Sequence, residues 1–153
     1  MAVVAPFSQY KKTNHKIYIL MLVVAAAWFA YDGYFSRKFK AKHTKDGVAD
    51  STLVFHRKGP PYLLAGAVVI AVYSLIARNK KIVADEQELV LSAKEKIPYS
   101  SIESINKTNY DSKGYFIIAY KDSAGKELQK KISNRTFDNL DAVVELLVSK
   151  ITG

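Results

Sequence analysis

Residues 59–105 read GPPYLLAGAVVIAVYSLIARNKKIVADEQELVLSAKEKIPYSSIESI, and the change of pattern inside this stretch decides the fold. From Tyr62 to Ala77 run sixteen uncharged residues, closed by Arg78, Lys80 and Lys81. From Ile82 the pattern shortens and alternates. Leu89 and Leu91 fall on one face of a strand, Glu88 and Val90 on the other. A hydrophobic span therefore feeds straight into a small folded domain. Gly59-Pro60-Pro61 is expected to open the span, because proline at a first helical turn forgoes an amide that has no helical partner there.

Upstream lies a second span. Residues 17–31, IYILMLVVAAAWFAY, carry no charge, and the run reaches Ser36 with one interruption at Asp32. About twenty such residues cross a hydrocarbon core of roughly 30 Å. Lys11–Lys16, the apolar run and Ala25-Ala26-Ala27 also fit a signal peptide, but apolar character continues past Ala27 and favours an uncleaved anchor. Asp32 is the only acid in either span; it is expected at the interface beside Gly33, in reach of water and of Arg37 or Lys38. Trp28, Tyr31 and Tyr34 suit an interfacial aromatic belt. Ala26 and Ala30 in the first span, and Gly66, Ala67 and Ala71 in the second, are the small residues expected to pack helix on helix.

The resulting division is an N-terminal segment (1–16), a first span (17–36), a basic loop (37–58), a second span (59–78) and a C-terminal domain (79–153). In the loop, Asp46-Gly47 reads as a turn and residues 51–55 as a short strand; His43 and His56 read as solvated side chains, with no third ligand placed for a metal.

Charge separates the halves. Of the net +9, residues 1–81 hold thirteen Lys and Arg against three acids, and residues 82–153 hold ten against eleven. The excess is juxtamembrane: Arg37, Lys38, Lys40 and Lys42 after the first span and Lys80 and Lys81 after the second are expected to meet lipid headgroups. Nucleic-acid binding wants a basic face on the folded domain, and that is missing. Seven flanking Lys and Arg on the loop side against six on the other leave orientation open.

The domain continues with a turn at residues 111–114, the apolar strand YFIIAY (115–120), a turn at 122–125 and the strand ELQKKIS (127–133). Phe137, Leu140, Val144, Leu147 and Ile151 recur at helical spacing, with Thr136 as expected N-cap, Asp138 and Asp141 at the positive end and Lys150 at the negative end. The fold class is thus a membrane α-helical hairpin plus an α+β domain, a small antiparallel sheet or half-barrel capped by a helix.

This order resembles the bacterial pleckstrin-homology-like domains, in which one or two transmembrane helices commonly run into the first strand. Ile97-Pro98-Tyr99-Ser100-Ser101-Ile102 carries the likeness most closely. The resemblance covers about residues 80–152 and implies an integral protein of a bacterial cytoplasmic membrane with its PH-like C-terminal domain on the cytoplasmic side. About seventy residues is short for seven strands, which leaves one strand reduced or supplied elsewhere.

The chain has no cysteine, no Gly-rich phosphate loop, no G-x-S-x-G and no H-E-x-x-H, and its C-terminal domain has no histidine. The expectation is a non-enzyme without cofactor or bound metal. It is read as an interaction or scaffold protein, an accessory subunit whose partners are membrane lipids and other membrane proteins. The alternative is an anionic-lipid sensor.

Overall fold

The computed structural model describes residues 2–152. In chain order come strand β1 (Val3–Pro6), helix α1 (Gln9–Ala30) with a π-helical turn after it (Tyr31–Phe35), helix α2 (Arg37–Lys42), the two-residue strands β2 (Thr44–Lys45) and β3 (Val48–Ala49), and helix α3 (Ser51–Ala77). Then follow β4 (Lys81–Ala84), β5 (Glu88–Val90), β6 (Lys96–Pro98), a 3-10 turn (Tyr99–Ser101) and β7 (Ile102–Asn106). The one-turn helix α4 (Tyr110–Lys113), β8 (Tyr115–Lys121), β9 (Glu127–Ser133) and helix α5 (Leu140–Thr152) complete the chain. These elements form two units, one built from residues up to Lys12 and from Ala77 onward, the other from residues 13–76.

The first unit holds a four-stranded sheet in the order β1-β4-β5-β6 and a three-stranded sheet in the order β7-β8-β9, antiparallel throughout. Alternation along the strands sends Ile82, Ala84, Leu89 and Ile97 inward from one sheet and Phe116, Ile118 and Ile132 from the other. Leu140, Val143, Val144 and Leu147, at helical spacing on α5, close the same core. Each of the larger ones, valine, leucine, isoleucine or phenylalanine, contributes about 1.5–3 kcal/mol by leaving water.

The N-terminal segment does not simply precede the first span. Its residues pair with β4 in the register Val3↔Ala84, Val4↔Val83, Ala5↔Ile82 and Pro6↔Lys81, and Ala5 is fully buried. Pro6 is tolerated because β1 is an edge strand. The segment before α5 secures it. The Thr136 carbonyl accepts from the Ser8 amide (2.9 Å), the Pro6 carbonyl from the Asp138 amide (2.9 Å) and the Val4 carbonyl from the Asn139 side chain (3.1 Å).

This also moves the helix start. α5 begins at Leu140, not beside Thr136, because Asn139 takes a left-handed φ of 60°. The Asp138 carboxylate instead accepts from the Gln9 amide (2.8 Å), capping α1. Residues 110–113 make the helix α4 where a plain turn is expected, ended by Gly114 at φ 70°.

In the second unit α1 and α3 pack antiparallel. His15 meets Tyr73 edge-on, Leu22 lies against Gly66, Phe29 against Gly59, and Gly33 against the His56 backbone. The first three steps are seven residues apart on both helices, the spacing of a coiled-coil seam. The stretch expected as a loop is mostly helical. Residues 51–55 are the first turn of α3 and not a strand, because the Asp50 carboxylate accepts from the Leu53 amide (2.9 Å) and caps it. Asp46-Gly47 does form the turn of a hairpin, with both residues at positive φ. The helical stretches Gln9–Phe35 and Ser51–Ala77 are long and apolar enough to cross a membrane.

Candidate functional site

Gly59-Pro60-Pro61 lies inside α3, not at its start. Two prolines there remove the amides that the carbonyls of His56 and Arg57 would accept from four residues on. The facing helix answers the loss at Arg57 and packs closely on His56. Tyr34 donates its hydroxyl to the Arg57 carbonyl (3.0 Å). Gly33 comes so close to His56 that a Cβ would stand 2.9 Å from its carbonyl carbon and oxygen. The π-helical turn that presents both residues is closed by the Ser36 amide on the Tyr31 carbonyl (2.9 Å). Arg57 returns the contact through Nε to the Gly33 carbonyl (3.0 Å), and Lys40 Nζ takes the Tyr34 carbonyl (2.9 Å).

Beside this junction sits a polar cluster. The His56 ring lies between Phe29 and Phe39, each centroid 4.5 Å away. Its Nδ1 has no hydrogen-bond partner among the described residues, and the Asp32 carboxylate stands 3.8 Å off. Asp32 accepts from Trp28 Nε1 (2.8 Å), so its hydrogen-bond partner is Trp28, with His56 nearby, in place of Arg37 or Lys38. Phe39 also faces His43, whose Nδ1 is 2.8 Å from Asp50. Hydrogen bonds from the Leu53 amide, and then from His43, hold the Asp50 carboxyl below the usual range. Neither histidine is the solvated side chain expected of it. Among the described residues no three His, Asp or Glu side chains converge to hold a metal.

Of the expected packing residues, Ala26 and Ala67 are buried at 2% and 5% exposure, and Ala30, Gly66 and Ala71 are half-buried. Trp28, Tyr31 and Tyr34 are mostly exposed, and Tyr31 stacks on Phe35. Arg37, Lys38 and Lys42 are exposed, as are Lys80 and Lys81 in the first unit. The sequence did not single out Gly33, His56 and Arg57 as residues of a helix junction. The signal for all three was the proline pair, which obliges some neighbour to serve the freed carbonyls if the helix runs on.

The first unit offers tyrosine anchors and an open seam. Tyr99 donates to the Asp85 carbonyl (2.8 Å); burial, then the charges of Asp85 and Glu88, push its pKa up to about 12. Tyr110 donates to Asp141 Oδ1 (2.7 Å) and is likewise raised, first by burial. Between the β5–β6 hairpin and β9, Lys130 Nζ holds both oxygens of Glu95 at 2.7 and 2.8 Å. Hollows of about 450 Å³ and 260 Å³ flank that pair.

Comparison of the chain with family models, curated proteins and solved structures finds no match.

Proposed function

We propose that this is a non-catalytic membrane-anchored interaction protein. A PH-like domain is held at the bilayer by a two-helix hairpin and serves as an accessory subunit of a larger membrane complex. The observation that carries the reading is the pairing of β1 with β4. It adds a strand to β4, β5 and β6, so that four strands plus three and a terminal helix support the PH-like reading. The hairpin then becomes an insertion between the first and second strands. Its two ends leave the sheet side by side, where the Phe7 amide meets the Lys80 carbonyl at 3.0 Å. A chain so joined crosses the bilayer an even number of times, and cleavage after Ala27 would strip the sheet of a strand.

Exposed apolar residues support lipid and protein contact along the helices, among them Leu20, Val24, Val69 and Ile76. The test is purification of the tagged chain from its native membrane in mild detergent. A stoichiometric set of membrane proteins, released by Ala26→Leu with Ala67→Leu, is the expected result. Isolation of the chain alone would contradict it.

The exposed Lys38, Lys42 and Lys45 favour a second reading, attraction to anionic headgroups at about 1 kcal/mol per charge. Full-length protein in nanodiscs of anionic rather than neutral lipid would then be stabilised, and the gain would vanish with the three lysines changed to glutamine.

A further inference from the structure

Among the described residues, strand β9 has a neighbouring strand on one side only. β8 pairs with it along its whole length, from Lys121↔Glu127 to Tyr115↔Ser133, and its other edge ends the three-stranded sheet. An open edge of seven residues is a template for another strand. Three side chains alternate on its more buried face: Leu128, Lys130 and Ile132. Leu128 lines the larger hollow with Ile97, Pro98 and Tyr120. Ile132 lines the smaller one with Ile82, Leu91 and Phe137. Lys130 stands between them, and the Glu95 it holds borders both hollows.

The edge therefore presents apolar, cationic and apolar sites at two-residue spacing. An added strand points every second side chain to one face, about 6.6–6.8 Å apart, and meets that spacing in register. Glu95 reaches Lys130 from the tip of the β5–β6 hairpin, where Ser92 caps the turn by accepting from the Glu95 amide (3.1 Å). It occupies the cationic site as a ligand carboxylate would. Charge around the groove favours an acid as well. Lys96 and Lys121 are matched by Glu88 and Glu103, whereas Lys80 and Lys94 make no ion pair among the described residues and outnumber Asp122, the remaining acid of the lining.

We propose that the β9 edge binds an extended acidic segment of a partner protein, of the pattern apolar–x–acidic–x–apolar. Its two apolar side chains enter the hollows, and its carboxylate takes Lys130 from Glu95. The proposal rests on the reading of the domain as an interaction module and does not need the membrane hairpin. A lysine facing inward on an edge strand also guards against unwanted pairing. The two roles part at Glu95, which competes with a ligand and has no part in guarding.

The experiment uses the full chain in detergent and a fluorescent peptide with a Leu-Thr-Glu-Thr-Leu centre, read by polarisation. Saturable binding is expected, about tenfold tighter for Glu95→Gln and at least about tenfold weaker when the peptide's glutamate becomes lysine. The peptide change needs no protein variant, so a folding defect cannot imitate it. Equal binding of both peptides, or no gain from Glu95→Gln, overturns the proposal. So does a Glu95→Gln chain that dimerises without taking peptide, which would make a second copy the occupant. Partners that still co-purify with the chain in that event leave the interaction reading standing without this groove.

Discussion

Tyr34 donates its hydroxyl to the carbonyl of Arg57 across 3.0 Å, and that carbonyl is the one that Pro61 leaves without a backbone donor. The pairing explains how a proline pair sits within a 27-residue helix. Tyr34→Phe is expected to cost about 1 kcal/mol. The cost should shrink toward zero in a Pro61→Ala background, where residue 61 regains its amide. Unfolding in mixed detergent micelles measures the cycle. Equal costs in both backgrounds would detach the tyrosine from the proline.

Gly33 and Gly59 both lie on the helix seam but should respond differently. A Cβ at Gly33 would press on the His56 backbone at 2.9 Å, whereas one at Gly59 would meet only ring atoms at 3.8 Å. Gly33→Ala is expected to destabilise the helix pair by about 1–3 kcal/mol. Gly59→Ala should be neutral or stabilising, since alanine suits a helix better than glycine. Thermal unfolding of the two variants side by side makes the comparison.

The strands of the C-terminal domain and the apolar face of its last helix were legible because alternation and helical spacing persist over many residues. β8 and the Leu140, Val144 and Leu147 stripe fall where those periods put them. β1 was not legible. Four residues, VVAP, show too little alternation, and their partner lies 79 positions away, as in Val4↔Val83. The start of α3 was misplaced because a proline pair ordinarily marks a first turn. Here the facing Tyr34 serves the carbonyl of Arg57 that Pro61 leaves free, a contact that spacing along one helix does not reveal. The surroundings of His56 likewise depend on two helices meeting, which one-dimensional spacing does not convey.

The hydroxyl of Tyr99 should ionise late. Its pKa in the fold is pushed up to about 12, against about 10 for free tyrosine. The folded state holds this proton more tightly than the unfolded chain. Its stabilising contribution is therefore complete below about pH 10 and is lost as pH rises through about 12. Tyrosinate absorbance, compared with that of Tyr99→Phe, should show the missing step near pH 12. A missing step at pH 10 would mean the side chain is not held as described.

Ala5 is buried against Ile82 and its neighbours in the core. Ala5→Asp should unfold the sheet locally and lower domain stability by about 3 kcal/mol or more. Val4→Asp, on the half-exposed face of the same strand, should cost far less. Hydrogen exchange at the amides of β4 and β5 reads the difference.

The absence of cysteine in the chain makes single-cysteine labelling straightforward. If α1 and α3 cross the bilayer as a hairpin, Ser123→Cys and Gln9→Cys should label from one side and Lys45→Cys from the other. Labelling of all three from one side would exclude the two-crossing arrangement.

The most direct measurement is oxidative cross-linking of a Val4→Cys, Val83→Cys chain in intact membranes. The two residues stand opposite each other in the β1–β4 register. Cα atoms so paired lie about 4.5–5.5 Å apart, within disulfide range. A rapid intrachain disulfide is expected, with little from an off-register Val3→Cys, Val83→Cys control. If neither pair closes while the membrane protein remains folded, β1 does not complete the sheet, and the case for a hairpin inserted into a PH-like domain fails.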